Sequence, residues 1–119
     1  MYSPQLLSHF EHPRHVGEIA NPDAVVELEN PACGDILRLT VRMECSHIVE
    51  IGFRAKGCVP AMACASAMAE MLLGKSLLEI ADIREQDILV AVGGVPSASG
   101  HAVHLAIAAV TQLLRQLQP

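Results

Sequence analysis

The 119-residue sequence predicts one α+β domain, residues 1–119, with a small antiparallel three-stranded sheet packed with helices. Three observations carry this expectation. Apolar and polar residues alternate in extended stretches between Ala24 and Ala55. From Pro60 onward the chain turns to Ala, Met and Leu in helical order. The apolar share, 51%, fills one modest core and leaves no room for a second domain.

Pro4 and the apolar residues Leu6, Leu7 and Phe10 read as a brief first helix, which Pro13 and Gly17 end. Ala24 to Leu28 reads as a strand. A second strand carries Ile36, Leu39, Val41 and Met43 on its buried face, interleaved with Arg38, Thr40 and Arg42. Glu44-Cys45-Ser46-His47 is a turn, and Ile48, Ile51 and Phe53 form a third strand that closes an antiparallel meander near Ala55. The helix from Pro60 to Leu73 has proline in its first turn and Gly74 just past its end. Ser76 with Glu79 reads as a capping box for a short helix to Ala81, and Asp82 with Glu85 as the opening of another that ends near Val90. After the breaker-rich loop Gly93-Gly94-Val95-Pro96-Ser97, a closing helix runs from about Ser99 to Leu117. Its apolar stripe is Val103, Ile107, Val110, Leu114 and Leu117, with His101, His104, Thr111 and Arg115 opposite. There is no internal repeat, low-complexity tract or interdomain linker.

Eight basic against thirteen acidic side chains give a net charge of -5, so the positive field that holds nucleic acid or anionic lipid is absent. Tyr2, Ser3 and Pro4 after Met1 do not read as a secretory signal, and no stretch reaches membrane-spanning length, so a cytoplasmic protein is expected. In a reducing compartment the four cysteines point to metal or thiolate chemistry rather than disulfides. With 3% aromatic residues and no Trp there is little to stack a ring on, which favours a small or inorganic ligand.

Cys33-Gly34-Asp35 lies between two predicted strands, where the glycine lets both flanking side chains point the same way and form a two-ligand corner. Cys58 follows Gly57 at a strand-to-helix junction, near backbone amides and a positive helix end that favour thiolate. Either cysteine alone reads most simply as a small buried hydrophobe, but both stand beside glycines at strand ends. Lys56 beside Cys58 reads as a solvated cation, Cys45 as an incidental exposed thiol, and Met62, Met68 and Met71 as core.

Four runs then point to one family: His9-Phe10-Glu11-His12-Pro13-Arg14-His15-Val16-Gly17, Asn30-Pro31-Ala32-Cys33-Gly34-Asp35, Phe53-Arg54-Ala55-Lys56-Gly57-Cys58 and Gly74-Lys75-Ser76-Leu77. In order and spacing they resemble the IscU/NifU-type iron-sulfur cluster assembly scaffold family over nearly the whole chain. The resemblance implies a compact α+β scaffold, not an enzyme, on which a cysteine desulfurase delivers sulfur, iron is added, and a cluster is built and passed on. Three cysteines and an aspartate line that site in the family. By position Cys33, Asp35 and Cys58 supply three of the four, with Cys58 as the candidate persulfide acceptor and Cys33 and Cys58 as the cluster-binding thiolates.

The sequence departs from the family pattern at two places. Ser99 stands where the family has its third cysteine, and Ala98 where many members have a histidine. Val92-Gly93-Gly94-Val95-Pro96 differs from the Leu-Pro-Pro-Val-Lys stretch that a dedicated chaperone reads, so that partner is doubtful. A serine hydroxyl is a poor ligand beside thiolate because it is hard and stays protonated near neutral pH. Two replacements lie within reach: His101, at the start of the final helix, and Cys64, which helical phase turns away from Cys58. His101 is the expected ligand, and His104 is expected at the surface.

The leading expectation is a scaffold or carrier that binds iron or a labile iron-sulfur cluster through Cys33, Asp35, Cys58 and His101, with a homodimer able to bridge a cluster between incomplete sites. Zinc is the alternative occupant of the resting site. The competing expectation is a degenerate paralogue that serves as a zinc-binding or protein-interaction module. A third, ranked below both, is a persulfide relay with Cys58 as nucleophile and His101 as base.

Overall fold

In a computed structural model that describes residues 2–31 and 34–118, the three expected strands pair as an antiparallel meander in the order β1-β2-β3. They span Ala24–Asn30, Asp35–Glu44 and His47–Lys56. Register runs from Ala24↔Val41 to Asn30↔Asp35 on one side of β2, and from Ile36↔Lys56 to Glu44↔His47 on the other. Among the described residues five α-helices accompany the sheet: α1 (Pro4–Glu11), α2 (Val59–Leu72), α3 (Leu77–Ala81), α4 (Glu85–Ala91) and α5 (Gly100–Leu117), the last preceded by a 3-10 turn at Ser97–Ser99. Helix α5 lies against β1 and α2 against β3; α2 and α5 pack on each other, and α1 packs on α2. No helix among the described residues is long and apolar enough to cross a membrane.

The phase of β2 corrects one expectation and positions the site. Its buried face is Asp35, Leu37, Leu39 and Val41, whereas Ile36 falls on the other face beside Arg38 and Lys56. The period of two counts back from Leu39 to Leu37 and Asp35, so an apolar Ile36 cannot join that face. Asp35 is thereby carried inward as the last member of the core stripe. Thr40, on the Ile36 face, is also buried; its hydroxyl donates to the Gly52 carbonyl at 3.3 Å and accepts the Ile19 N–H at 3.3 Å. On β3 the inward residues Ile48 and Ile51 are three apart, which strict alternation forbids. A bulge reconciles them: Arg42 pairs with Glu50 and Met43 with Ile48, so Val49 is skipped.

Both ends of β3 are covered by motif residues. The Gly17 N–H donates to the Phe53 carbonyl at 2.8 Å, and the Phe53 N–H to the His15 carbonyl at 3.0 Å. A Cβ at Gly52 would stand 2.5 Å from the Gly17 carbonyl oxygen, so the close approach of this segment requires glycine there. At the other end the Gly74 N–H reaches the Ile48 carbonyl at 2.8 Å, and the Ile48 N–H reaches Lys75 O at 3.0 Å. The outer edge of the sheet is engaged from α5, where the Gln116 side chain exchanges two hydrogen bonds with the Val25 backbone, at 2.8 and 3.3 Å.

Helix α2 is buried over most of its circumference, as its run of alanines with Cys64, Met68 and Leu72 requires. Ser66 in its middle meets His9 Nδ1 at 2.9 Å and accepts the Arg14 N–H at 2.9 Å, which pins α1 and the following turn to α2. The capping box of α3 is present as expected, Ser76 and Glu79 bonding reciprocally at 3.0 and 3.3 Å. The start of α4 is not at Asp82. Arg84 holds the cap position, its N–H donating to the Asp87 carboxylate at 2.8 Å, while Asp82 closes α3. The stripe of α5 is also rotated from expectation. Ala102, Val103, Ala106, Ala109, Val110 and Leu113 are fully buried, whereas Ile107 and Leu114 flank them and face α3 and the start of α4. Ile107 and Leu114 line a groove of about 290 Å³ between α5 and the α3–α4 segment.

Candidate metal centre

Three chain segments distant in sequence meet at one corner of the molecule. Asp35 opens β2, Cys58 is the residue before α2, and His101 is the second residue of α5. The Asp35 carboxylate is 2% exposed, held there by the inward phase of β2, and one oxygen accepts the Cys58 N–H at 3.3 Å. Gly57 makes this approach possible. Its φ is +155°, and a Cβ there would lie 2.6 Å from the Asp35 Cγ. Helix α2 presents its N-terminus to this corner, where aligned backbone dipoles favour anionic groups.

The ligand atoms face one another. Cys58 Sγ is 3.5 Å from His101 Nε2 and 3.8 Å from Asp35 Oδ2, and His101 Nε2 is 3.4 Å from Asp35 Oδ2. A tetrahedral ion with bonds of about 2.3 Å to sulfur and about 2.0–2.1 Å to nitrogen and oxygen would set donor separations of roughly 3.4–3.6 Å. The observed triangle therefore has nearly the dimensions of one face of such a tetrahedron. All three donors lie within 4.8 Å of one another, in a mixed sulfur, nitrogen and oxygen set suited to zinc or iron.

The same geometry speaks against His101 as an activating base for the Cys58 thiol. In a Cys-His pair with an orienting carboxylate, the acid holds one ring nitrogen while the other faces the thiol. Here Asp35 and Cys58 both approach Nε2 of His101. The ring stands as a shared neighbour of both donors, as a co-ligand does.

Of the expected site residues, Asp35, Cys58 and His101 are brought together, and Cys33 lies outside the described residues. Ser99 is at the N-cap of α5 and Ala98 is exposed in the preceding turn. Cys64 is wholly enclosed in α2, and burial pushes its thiol up to about 12, as befits a core residue. Cys45 is exposed in the β2–β3 turn, and Lys56 is exposed at the end of β3. Exposed His104 pairs with Glu85 at 3.0 Å. Met68 is core, with Met62 and Met71 half-buried. Sequence reasoning missed the part played by Gly57, whose only signal was its place directly before Cys58.

Residues 1–118 match the NifU-like N terminal domain family. The chain belongs to that family. It is 34% identical over 114 residues to the iron-sulfur cluster assembly scaffold protein IscU 1 of Archaeoglobus fulgidus, covering 96% of this chain and 74% of that one. It is 37% identical over 91 residues to the iron-sulfur cluster assembly scaffold protein IscU of Escherichia coli, covering 73% and 71% of the two chains. The fold of this NifU-like domain superposes on a crystal structure of the N-terminal part of a NifU-like protein from Brucella abortus with a TM-score of 0.80. That match covers 97% of this chain and 92% of the other at 18% identity, a likeness of fold alone.

Proposed function

We propose that this domain is a non-catalytic scaffold on which an iron-sulfur cluster is assembled as cargo and from which it is passed on. The observation that carries the reading is the convergence of Cys58, Asp35 and His101 at one corner, in a chain whose relatives are named as assembly scaffolds. Cys33, two residues before Asp35 in sequence, is proposed as the further thiolate ligand, with His101 standing in for the cysteine that Ser99 replaces. A carboxylate oxygen holds soft iron-sulfide less tightly than thiolate does, so Asp35 keeps the cargo releasable.

Sulfur delivery follows from the same residues. Cys58 thiolate attacks the outer sulfur of a persulfide on a partner desulfurase; a new S–S bond forms at Cys58, and the desulfurase thiolate leaves. Cys58 caps the N-terminus of α2, whose aligned backbone dipoles favour its thiolate beforehand. A homodimer could share a cluster between two such sites.

Anaerobic reconstitution with ferrous iron, cysteine and a cysteine desulfurase tests the proposal. The expected result is a visible iron-sulfur chromophore that is lost on Cys58→Ala and becomes harder to transfer on Asp35→Ala. A colourless protein that holds one zinc ion and takes up no cluster overturns it. A mononuclear zinc ion in the resting site is a second reading, favoured by the match of the donor triangle to a tetrahedral face. Elemental analysis of freshly purified protein, wild type against His101→Ala, decides it.

A further inference from the structure

A groove lies away from this corner, where the end of α2 meets α3 and α4. It encloses about 440 Å³ and is lined by Met71, Lys75, Glu79, Asp82, Ile83, Asp87 and Val90. Met71, Ile83 and Val90 supply an apolar floor, and Val90 is 68% exposed. Leu78, on the adjoining helix α3, is 83% exposed, the most open large apolar side chain described. Val90 in the groove and Leu78 on the helix that borders it are apolar side chains left open to solvent. The groove's volume falls within the range of built binding sites.

The rim identifies the chemistry of that partner. Three carboxylates, Glu79, Asp82 and Asp87, stand against the single cation Lys75. Two of them are fixed in place as helix caps, Glu79 accepting the Ser76 N–H at 3.0 Å and Asp87 the Arg84 N–H at 2.8 Å, with acceptor capacity left over. We infer that this groove docks a basic amphipathic segment of a partner protein, its apolar side chains seated on Met71, Ile83 and Val90 and its Lys or Arg residues meeting the three carboxylates. A second copy of the chain would bring the same acidic rim against itself, and an anionic lipid surface would be repelled.

Met71 is thirteen residues beyond Cys58, roughly 20 Å at 1.5 Å per helical residue. A partner held in the groove thus leaves the metal corner open, so docking and cargo exchange can occur together.

The test is fluorescence anisotropy with two labelled peptides, a Leu/Lys amphipathic helix and its Leu/Glu counterpart, alongside methyl NMR of the full chain. The basic peptide is expected to bind at least about tenfold more tightly than the acidic one, to shift the methyls of Met71, Ile83 and Val90, and to weaken as salt rises. Val90→Ser and Asp82→Lys, both at exposed positions, should each weaken it about tenfold with unchanged circular dichroism. Binding of neither peptide, equal binding of both, or shifts confined to other surfaces overturns the inference. Sedimentation that reveals a dimer broken by Val90→Ser assigns the face to a second copy and overturns it as well.

Discussion

Substituting Gly57→Ala should damage the metal corner without touching any ligand. The added Cβ would stand 2.6 Å from Asp35 Cγ and 3.1 Å from its Cβ, so the carboxylate must move. Backbone at φ +155° is open to glycine and strained for alanine, a cost of about 1–3 kcal/mol. Displacing the buried carboxylate also breaks its hydrogen bond with the Cys58 N–H, a charge-assisted bond that contributes about 1.5–3 kcal/mol. Together the substitution should cost about 2.5–6 kcal/mol, read as a lower urea midpoint at unchanged slope. In an Asp35→Ala background the clash with the carboxylate is gone and the strain, about 1–3 kcal/mol, remains. Zinc affinity of the Gly57→Ala protein should fall about 10- to 100-fold, as for loss of a group that orients a ligand. An equal cost for Gly57→Ala in both backgrounds would refute the claim that glycine is required here by the approach of Asp35.

Three further outcomes are expected. Ser66→Ala leaves His9 Nδ1 and the Arg14 N–H without their buried partner, and should cost about 2–4 kcal/mol in urea unfolding; a loss below 0.5 kcal/mol, roughly the level of a neutral surface change, would contradict the pinning of α1. His9 has its pKa lowered from the ordinary 6.5, first by burial and then by Arg14, so below pH 6.5 the unfolded chain binds a proton that the native state refuses. Stability should accordingly be full above pH 6.5, fall as pH drops towards the lowered value, and lose that component of its slope in His9→Gln; a slope unchanged in the variant would be decisive against it. In thiol alkylation at pH 8, exposed Cys45 should react readily, and Cys64, enclosed and pushed up to about 12, only on unfolding; peptide mapping of early Cys64 labelling would show the core assignment to be wrong.

The local elements were legible because they rest on short-range physics. Alternation marked β1 to β3, Pro60 and Gly74 bracketed α2, and Ser76 with Glu79 declared its own cap. Where the reading went astray, a competing choice was close in energy. Ile36 is apolar but out of phase with Leu37, Asp82 and Asp87 are both acceptable near a helix start, and the stripe of α5 could be centred on Ile107 or on its alanines. The bulge that skips Val49 has no local mark, since it arises from the pairing of two strands.

For the site, the chain by itself determined which groups could ligate: thiols beside glycines, an aspartate at a strand start, and a histidine at the head of the last helix. Residue chemistry is carried by each position alone. Only the tertiary structure decided that Asp35 is turned inward, that His101 and not Cys64 meets Cys58, and that one ring nitrogen faces both other donors. Those facts depend on the packing of α5 and α2 against one another and on the sheet, that is, on contacts between residues up to 66 positions apart, from Asp35 to His101. No spacing rule along the chain encodes such separations.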